Sequence, residues 1–137
     1  MFKRIFIPLA AAALLLFAIG CSAVPPLSDS FDEETVKQSA KDVISLINAQ
    51  DGESLRNMST TTLSDALTDE KLAEIYTAIS ENGAFTEFGE AAAFGSSDKS
   101  TGIEYAVVVQ QAKYEAKALT YTISFDTDMK LAGIYYK

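Results

Sequence analysis

Residues 103–125 read IEYAVVVQQAKYEAKALTYTISF, and this stretch decides the fold class. In each half, apolar side chains recur at every second position, which is typical of β-strands. Residues 115–117 separate the halves and are predicted to form a turn. Because so short a connection joins strands that run in opposite directions, the stretch predicts an antiparallel β-hairpin.

The alternating period extends to both sides of this hairpin. Residues 85–94 and 131–136 are candidate strands, which gives a predicted sheet of four strands. On strands 103–111 and 119–125 the odd-numbered side chains are the larger apolar ones. We therefore expect the odd-numbered face of both strands to lie under the helices.

Before Gly83 the apolar side chains follow a helical period instead. An S-x-x-E capping box at residues 30–33 is expected to begin the first helix, and Asp51-Gly52 to end it, with Gly52 in the left-handed conformation. Two apolar stripes predict the helices, namely Val36, Ala40, Val43, Ile44 and Ile47, and then Leu72, Ile75, Tyr76 and Ile79. Helices followed by strands predict an α+β domain, with N-terminal helices packed on a four-stranded antiparallel sheet.

The first twenty residues resemble the signal of a bacterial lipoprotein. Lys3 and Arg4 precede an uncharged apolar stretch that ends at Gly20-Cys21. This ending is similar to a lipobox, in which the cysteine becomes lipid-modified and forms the new N-terminus. A plain cleaved signal and an uncleaved anchor helix remain alternatives.

Lipidation of Cys21 would fix the location of the protein. Residues 1–20 would be removed, residues 21–30 would form a flexible spacer containing Pro25 and Pro26, and residues 31–137 would form the domain. Two or more acyl chains give stable attachment, so we expect a lipid-anchored protein on the extracytoplasmic face of the cell membrane. An extended spacer of ten residues would keep the domain within roughly 30 Å of the lipid headgroups.

The composition excludes several classes of function. The formal net charge is −8, whereas nucleic-acid binding needs clustered Lys and Arg. There is no His, which excludes His-based triads and His metal sites, and the one Cys cannot form an internal disulfide. We therefore expect no cofactor, no metal and no nucleic-acid partner.

Several strings in the domain match those of a known family. They are Asp51-Gly52, residues 72–76 with 82–89, residues 107–109 with 112–115, and residues 123–126 with 131–135. On these strings residues 33–137 resemble DUF3887, a family of bacterial extracytoplasmic domains of unknown function. The resemblance implies the NTF2-like fold, a curved antiparallel sheet wrapped around N-terminal helices to form a cone. Some members precede an α/β-hydrolase, but this chain has no G-x-S-x-G motif, so the resemblance implies no catalytic residues.

Aromatic residues are the main candidates for a binding site. Those that could line the mouth of a cone and hold a small apolar ligand include Tyr76, Tyr105, Tyr121, Phe125 and Tyr135. The alternative is that they fill the core, as a domain of this size requires. The sequence leaves both interpretations open.

Two classes of function follow. The first is a non-catalytic accessory domain that binds a small apolar ligand or a cell-envelope protein. The second is a cryptic enzyme of the isomerase or cyclase type, in which a buried carboxylate would work beside a tyrosine. For a protein partner we expect the sheet surface and the turn at residues 113–117 to be used, with Tyr114 exposed at its tip.

Overall fold

The computed structural model describes residues 24–137, so the expected signal segment and Cys21 lie outside the described residues. Helices precede strands in this range. The bounds are α1 Glu33–Asn48, α2 Gly52–Met58, α3 Thr61–Ala66, α4 Asp69–Ser80, β1 Phe85–Ser97, β2 Glu104–Tyr114, β3 Ala118–Phe125 and β4 Leu131–Tyr136. Within residues 24–137, none of the helices is long and apolar enough to cross a bilayer. The boundary at residue 20 stays a prediction.

Helix α1 packs its predicted apolar stripe into the core, and all five of those side chains are buried. Its predicted start is wrong. Asp32, not Ser30, is the N-cap, and its Oδ2 accepts a hydrogen bond from the Thr35 amide at 2.9 Å. Ser30 lies in a turn, where its own amide donates to Ser28 Oγ.

The predicted end of α1 is also wrong in detail. Gln50 is the residue with a left-handed φ of 57°, and Gly52 is the first residue of α2. Asp51 caps α2 by accepting from the Ser54 amide at 3.1 Å. A β-carbon on Gly52 would lie 2.6 Å from Leu72 Cδ1, so this glycine permits the close approach of α2 to α4.

The four strands form one antiparallel sheet in the order β1-β2-β3-β4. Gly95 pairs with Ala106, which pairs with Phe125 on its other side, and these residues form a row near one end of the sheet. Near the other end, Phe85 pairs with Tyr114. Helices followed by a four-stranded antiparallel sheet confirm the predicted α+β class.

The helices cover one face of the sheet, hereafter the inner face, but the predicted parity of that face is wrong on one strand. On β3 the odd-numbered residues are buried, as expected. On β2 the even-numbered residues are buried, because Val108 pairs with Ile123 and the register couples even positions with odd ones. The larger odd-numbered side chains of β2, including Val107 and Val109, therefore lie on the opposite, outer face.

A buried glutamine stabilises an irregularity in β1. The pairing of β1 with β2 shifts between Phe88 and Ala91, which leaves carbonyl groups without strand partners. Gln110 is fully buried on the inner face, and its Nε2 lies within hydrogen-bond distance of the carbonyl oxygens of Gly89, Glu90 and Gln111. One side chain thus partners the backbone at the bulge.

Candidate functional site

The outer face of the sheet carries a groove of about 450 Å³ near the Gly95–Ala106 end. The strands, the loops that adjoin them, and the segment that leads into α3 contribute its walls. The lining residues are Thr60, Thr62, Ser96, Ile103, Tyr105, Val107, Ser124, Asp126 and Ala132. We call this site the outer groove.

The segment before α3 closes one side of the outer groove. Ser59 forms a parallel bridge with Leu131, and the Thr60 amide donates to the Leu131 carbonyl at 2.8 Å. These bonds attach residues 59–60 to the exposed edge of β4. The adjoining Thr62 is exposed and faces the groove, while Thr60 Oγ1 accepts from the Leu63 amide as the cap of α3.

The lining combines apolar and hydrogen-bonding groups. Ile103, 44% exposed, lies beside the half-buried Tyr105 and Val107 and provides the apolar part. Asp126 provides a carboxylate whose Oδ1 accepts from the amides of Asp128 and Lys130 at 3.0 and 2.9 Å. A surface of this kind fits a partner that presents both apolar and hydrogen-bonding groups.

The structure does not bring the five candidate aromatic residues together. Tyr121 and Phe125 are fully buried on the inner face, whereas Tyr135 lies on the outer face and is 62% exposed. Tyr105 lies on the outer face and lines the groove, and Tyr76 lies on α4. A single aromatic ligand site is therefore not formed by this set, and the core interpretation holds for Tyr121 and Phe125.

Tyr114 corrects an explicit prediction. It is not exposed at the hairpin tip but buried, with 6% of its surface accessible. Its hydroxyl donates to Asn48 Oδ1 at 2.7 Å and lies 2.7 Å from the Tyr121 hydroxyl, which leaves Tyr121 as the donor of that second bond. Because Tyr114 is the last residue of β2 and points inward, only its neighbours at residues 113 and 115–117 are exposed.

Burial raises the pKa of both tyrosines in this pair. Desolvation raises the pKa of Tyr121 far above its ordinary value, and the hydrogen bond to Tyr114 adds to the rise. Desolvation also raises the pKa of Tyr114, against the opposite effect of its hydrogen bonds with Tyr121 and Asn48. Both hydroxyls therefore stay protonated at neutral pH.

Tyr76 lies in a different environment, at the packing contact between α2 and α4. Its hydroxyl is buried without a hydrogen-bond partner, and burial raises its pKa. Nearby, Arg56 donates to the Leu67 carbonyl and to Asp69 Oδ1, each at 2.7 Å. A groove of about 280 Å³ separates Tyr76 from Tyr114, at the end of the sheet opposite the outer groove.

The acidic residues with displaced pKa values are caps and turns. Hydrogen bonds with Thr35, Ser54 and Ser100 lower the pKa of Asp32, Asp51 and Asp98, respectively. Between residues 24 and 137 no three His, Cys, Asp or Glu side chains cluster as metal ligands would.

Comparison with known proteins identifies the family to which the chain belongs. The model of a family described as a protein of unknown function, DUF3887, matches residues 40–134. The chain belongs to the DUF3887 family. The resemblance deduced from the sequence is thereby confirmed, and all residues that line the outer groove fall within the matched segment of this DUF3887 domain.

A solved structure supports the same fold. The NMR structure of a protein from Ruminococcus gnavus ATCC 29149 is 28% identical, with a TM-score of 0.73, and the alignment covers 82% of this chain and 96% of that chain. No curated protein matches the DUF3887 chain described here.

Sequence reasoning missed most of the outer groove. Thr60 and Thr62 belong to a run of hydroxyl residues typical of helix capping, which is what Thr60 does. Ser96 and Ser124 lie on strands. The face to which their side chains point depends on the pairing register, which cannot be read from the sequence. The alternation of Thr120, Thr122 and Ser124 was the available signal that β3 keeps one face polar.

Proposed function

We propose that this protein is a lipid-anchored, extracytoplasmic, non-catalytic domain that binds a protein partner of the cell envelope through the outer groove. The outer groove itself carries the proposal. It is an open surface on which Ile103 and Tyr105 adjoin Thr62 and Asp126, whereas the inner face is filled by the side chains of the core. A mixture of apolar and polar groups is typical of protein interfaces that form and dissociate.

The anchor is supported by the sequence. Lys3 and Arg4, the uncharged stretch and Gly20-Cys21 together resemble the lipoprotein signal. Labelling cells with a clickable fatty acid tests this part. We expect the label on the wild-type chain and none on Cys21→Ala, and a Cys21→Ala chain that still carries the label would overturn the anchor.

The proposal that the domain is non-catalytic is supported by the protonation of its carboxyl groups. A general base works best with a pKa near the operating pH. The displaced carboxyl pKa values of Asp32, Asp51 and Asp98 are lowered, which keeps these groups ionised as structural acceptors. The pKa values of Tyr114 and Tyr121 are raised, and both hydroxyls are engaged in hydrogen bonds within the core.

Photocrosslinking in living cells tests the binding surface. A photoreactive residue at position 105 lies in the outer groove, and one at position 77 lies on the exposed side of α4 as the matched control. We expect a discrete adduct from position 105 and none from position 77. Equal adducts from both positions, or none from 105, would contradict the proposed surface.

A further inference from the structure

The segment before α1 is attached to the domain. The amide of Gly95 on β1 donates to the Pro25 carbonyl at 3.0 Å. Leu27 is partly buried against the core, and the Phe31 amide donates to the Ser28 carbonyl at 3.0 Å. Residues 25–31 thus lie along the edge of the sheet as an ordered strap, which we name the edge strap, and not as the free spacer that the sequence predicts.

Gly95 is suited to this contact because it has no side chain. An added β-carbon would overlap the Pro26 carbonyl oxygen and lie 3.7 Å from Leu27 Cα. The obstacle is backbone and not a flexible side chain, so the strap itself would have to move. The glycine therefore serves the docking of the edge strap.

The edge strap leaves the domain at a defined end. Gly95 pairs with Ala106 near the loop at residues 98–103, and the turn at residues 126–130 follows Phe125 in the same row. The opposite end holds the turn at residues 115–117. Helix α1 runs between the two ends, since its last residue, Asn48, binds Tyr114 at the far one.

We propose that the docked edge strap fixes the orientation of the domain on the membrane, with the loop at residues 98–103 facing the bilayer and the turn at residues 115–117 facing away. The inference rests on the proposed lipid at Cys21. Two residues lie between Cys21 and Val24. The three steps from one Cα atom to the next span at most about 11 Å. The lipid is thus held near the Gly95 end, and a partner in the outer groove meets the domain close to the membrane.

The charge of this end indicates that the lipid, and not the protein surface, makes the attachment. Acidic side chains outnumber basic ones there, with Asp32, Glu33, Glu34, Asp98, Glu104, Asp126 and Asp128 against Lys37, Lys99 and Lys130. Such a surface gains nothing from anionic headgroups. The orientation is therefore expected in vesicles of neutral phosphatidylcholine.

Energy transfer to the bilayer measures the orientation directly. Lys99→Cys and Lys117→Cys place matched donor dyes on exposed turns at the two ends, since the native cysteine is occupied by lipid. The strand between residues 106 and 114 alone spans about 26 Å. With an acceptor dye on the headgroups, we expect the lipidated full chain to show higher transfer from position 99 than from position 117.

Two glycine variants separate the strap from general effects. Gly95→Ala should displace the strap and abolish the difference between the two positions. Gly133→Ala on β4 is the control, because its β-carbon would meet Ser124 Oγ at an ordinary 3.4 Å, and the difference should persist. If Gly95→Ala does not fold, slow hydrogen exchange of the wild-type Gly95 amide tests the strap without any variant, and fast exchange would overturn it.

The outcomes distinguish the strap from the anchor. Vesicle-bound wild type with equal transfer from both positions, or with higher transfer from 117, overturns the orientation and leaves the anchor intact. A wild-type chain that does not bind vesicles overturns both.

Discussion

On the inner face of the sheet Tyr121 is fully buried, whereas on the outer face Tyr135 of the neighbouring strand keeps 62% of its surface exposed. The inner face is covered by helices, and its side chains form the core together with those of the helices. The outer face carries the outer groove, which Thr62 at the start of α3 flanks on one side. A tyrosine thus contributes to stability on the inner face and remains available for binding on the outer face. Paired substitutions can distinguish these two roles.

The largest difference in the free energy of unfolding is expected between alanine variants of two tyrosines on adjacent strands. Tyr121→Ala removes a fully buried ring and should lower the free energy of unfolding by about 3–5 kcal/mol. Tyr135→Ala removes an exposed ring and should change it by no more than about 0.5 kcal/mol. Urea denaturation measures both, and similar losses for the two variants would contradict the assignment of the faces.

A second pair compares consecutive glutamines on β2. Gln110→Leu leaves the carbonyls of Gly89 and Glu90 without their side-chain donor, which should cost about 1–3 kcal/mol. Gln111 points to the outer face, so Gln111→Leu should have the smaller effect. Urea denaturation of both variants measures this difference. An equal or larger loss of unfolding free energy for Gln111→Leu would show that Gln110 is not needed at the bulge.

These pairs also show how far the sequence could predict the molecule. The change from helical to alternating period after Gly83 was sufficient for the α+β class, since periodicity reflects burial directly. The periodicity did not predict which side chains of β2 lie on the inner face. Val107 and Val109 are larger than Ala106 and nevertheless lie on the outer face. There the register of the hairpin, and not the size of the side chain, decides.

Tyr114 shows the same limit at the candidate site. A tyrosine beside a polar turn was expected to be exposed, but Tyr114 is buried and its hydroxyl bonds Asn48, a residue 66 positions away in the sequence. Long-range hydrogen bonds of this kind have no local signal. The edge strap was missed for a related reason, since the requirement for Gly95 appears only when Pro26 lies against it.

The buried tyrosine hydroxyls should make the core sensitive to alkali. The pKa values of Tyr114 and Tyr121 are raised above the ordinary value of 10.0, so the folded state binds protons more strongly than the unfolded state. Their contribution is fully present below pH 10 and is lost as the pH rises above it. We expect the unfolding free energy to fall above pH 10, and less steeply in Tyr121→Phe than in the wild type. Identical pH profiles would argue against a titrating pair in the core.

The smallest difference in stability within a pair is expected between two neighbouring threonines of the outer groove, Thr60 and Thr62. Thr60→Ala removes the cap of α3 and should cost about 0.5–2 kcal/mol, because the Leu63 amide loses its acceptor. Thr62 is exposed and has no capping bond, so Thr62→Ala should change the unfolding free energy by no more than about 0.5 kcal/mol. If the outer groove binds a partner, Thr62→Ala should still weaken the adduct formed from position 105, since the hydroxyl lines the same surface. A variant that is as stable as the wild type and gives an undiminished adduct would show that the partner does not contact this side of the groove.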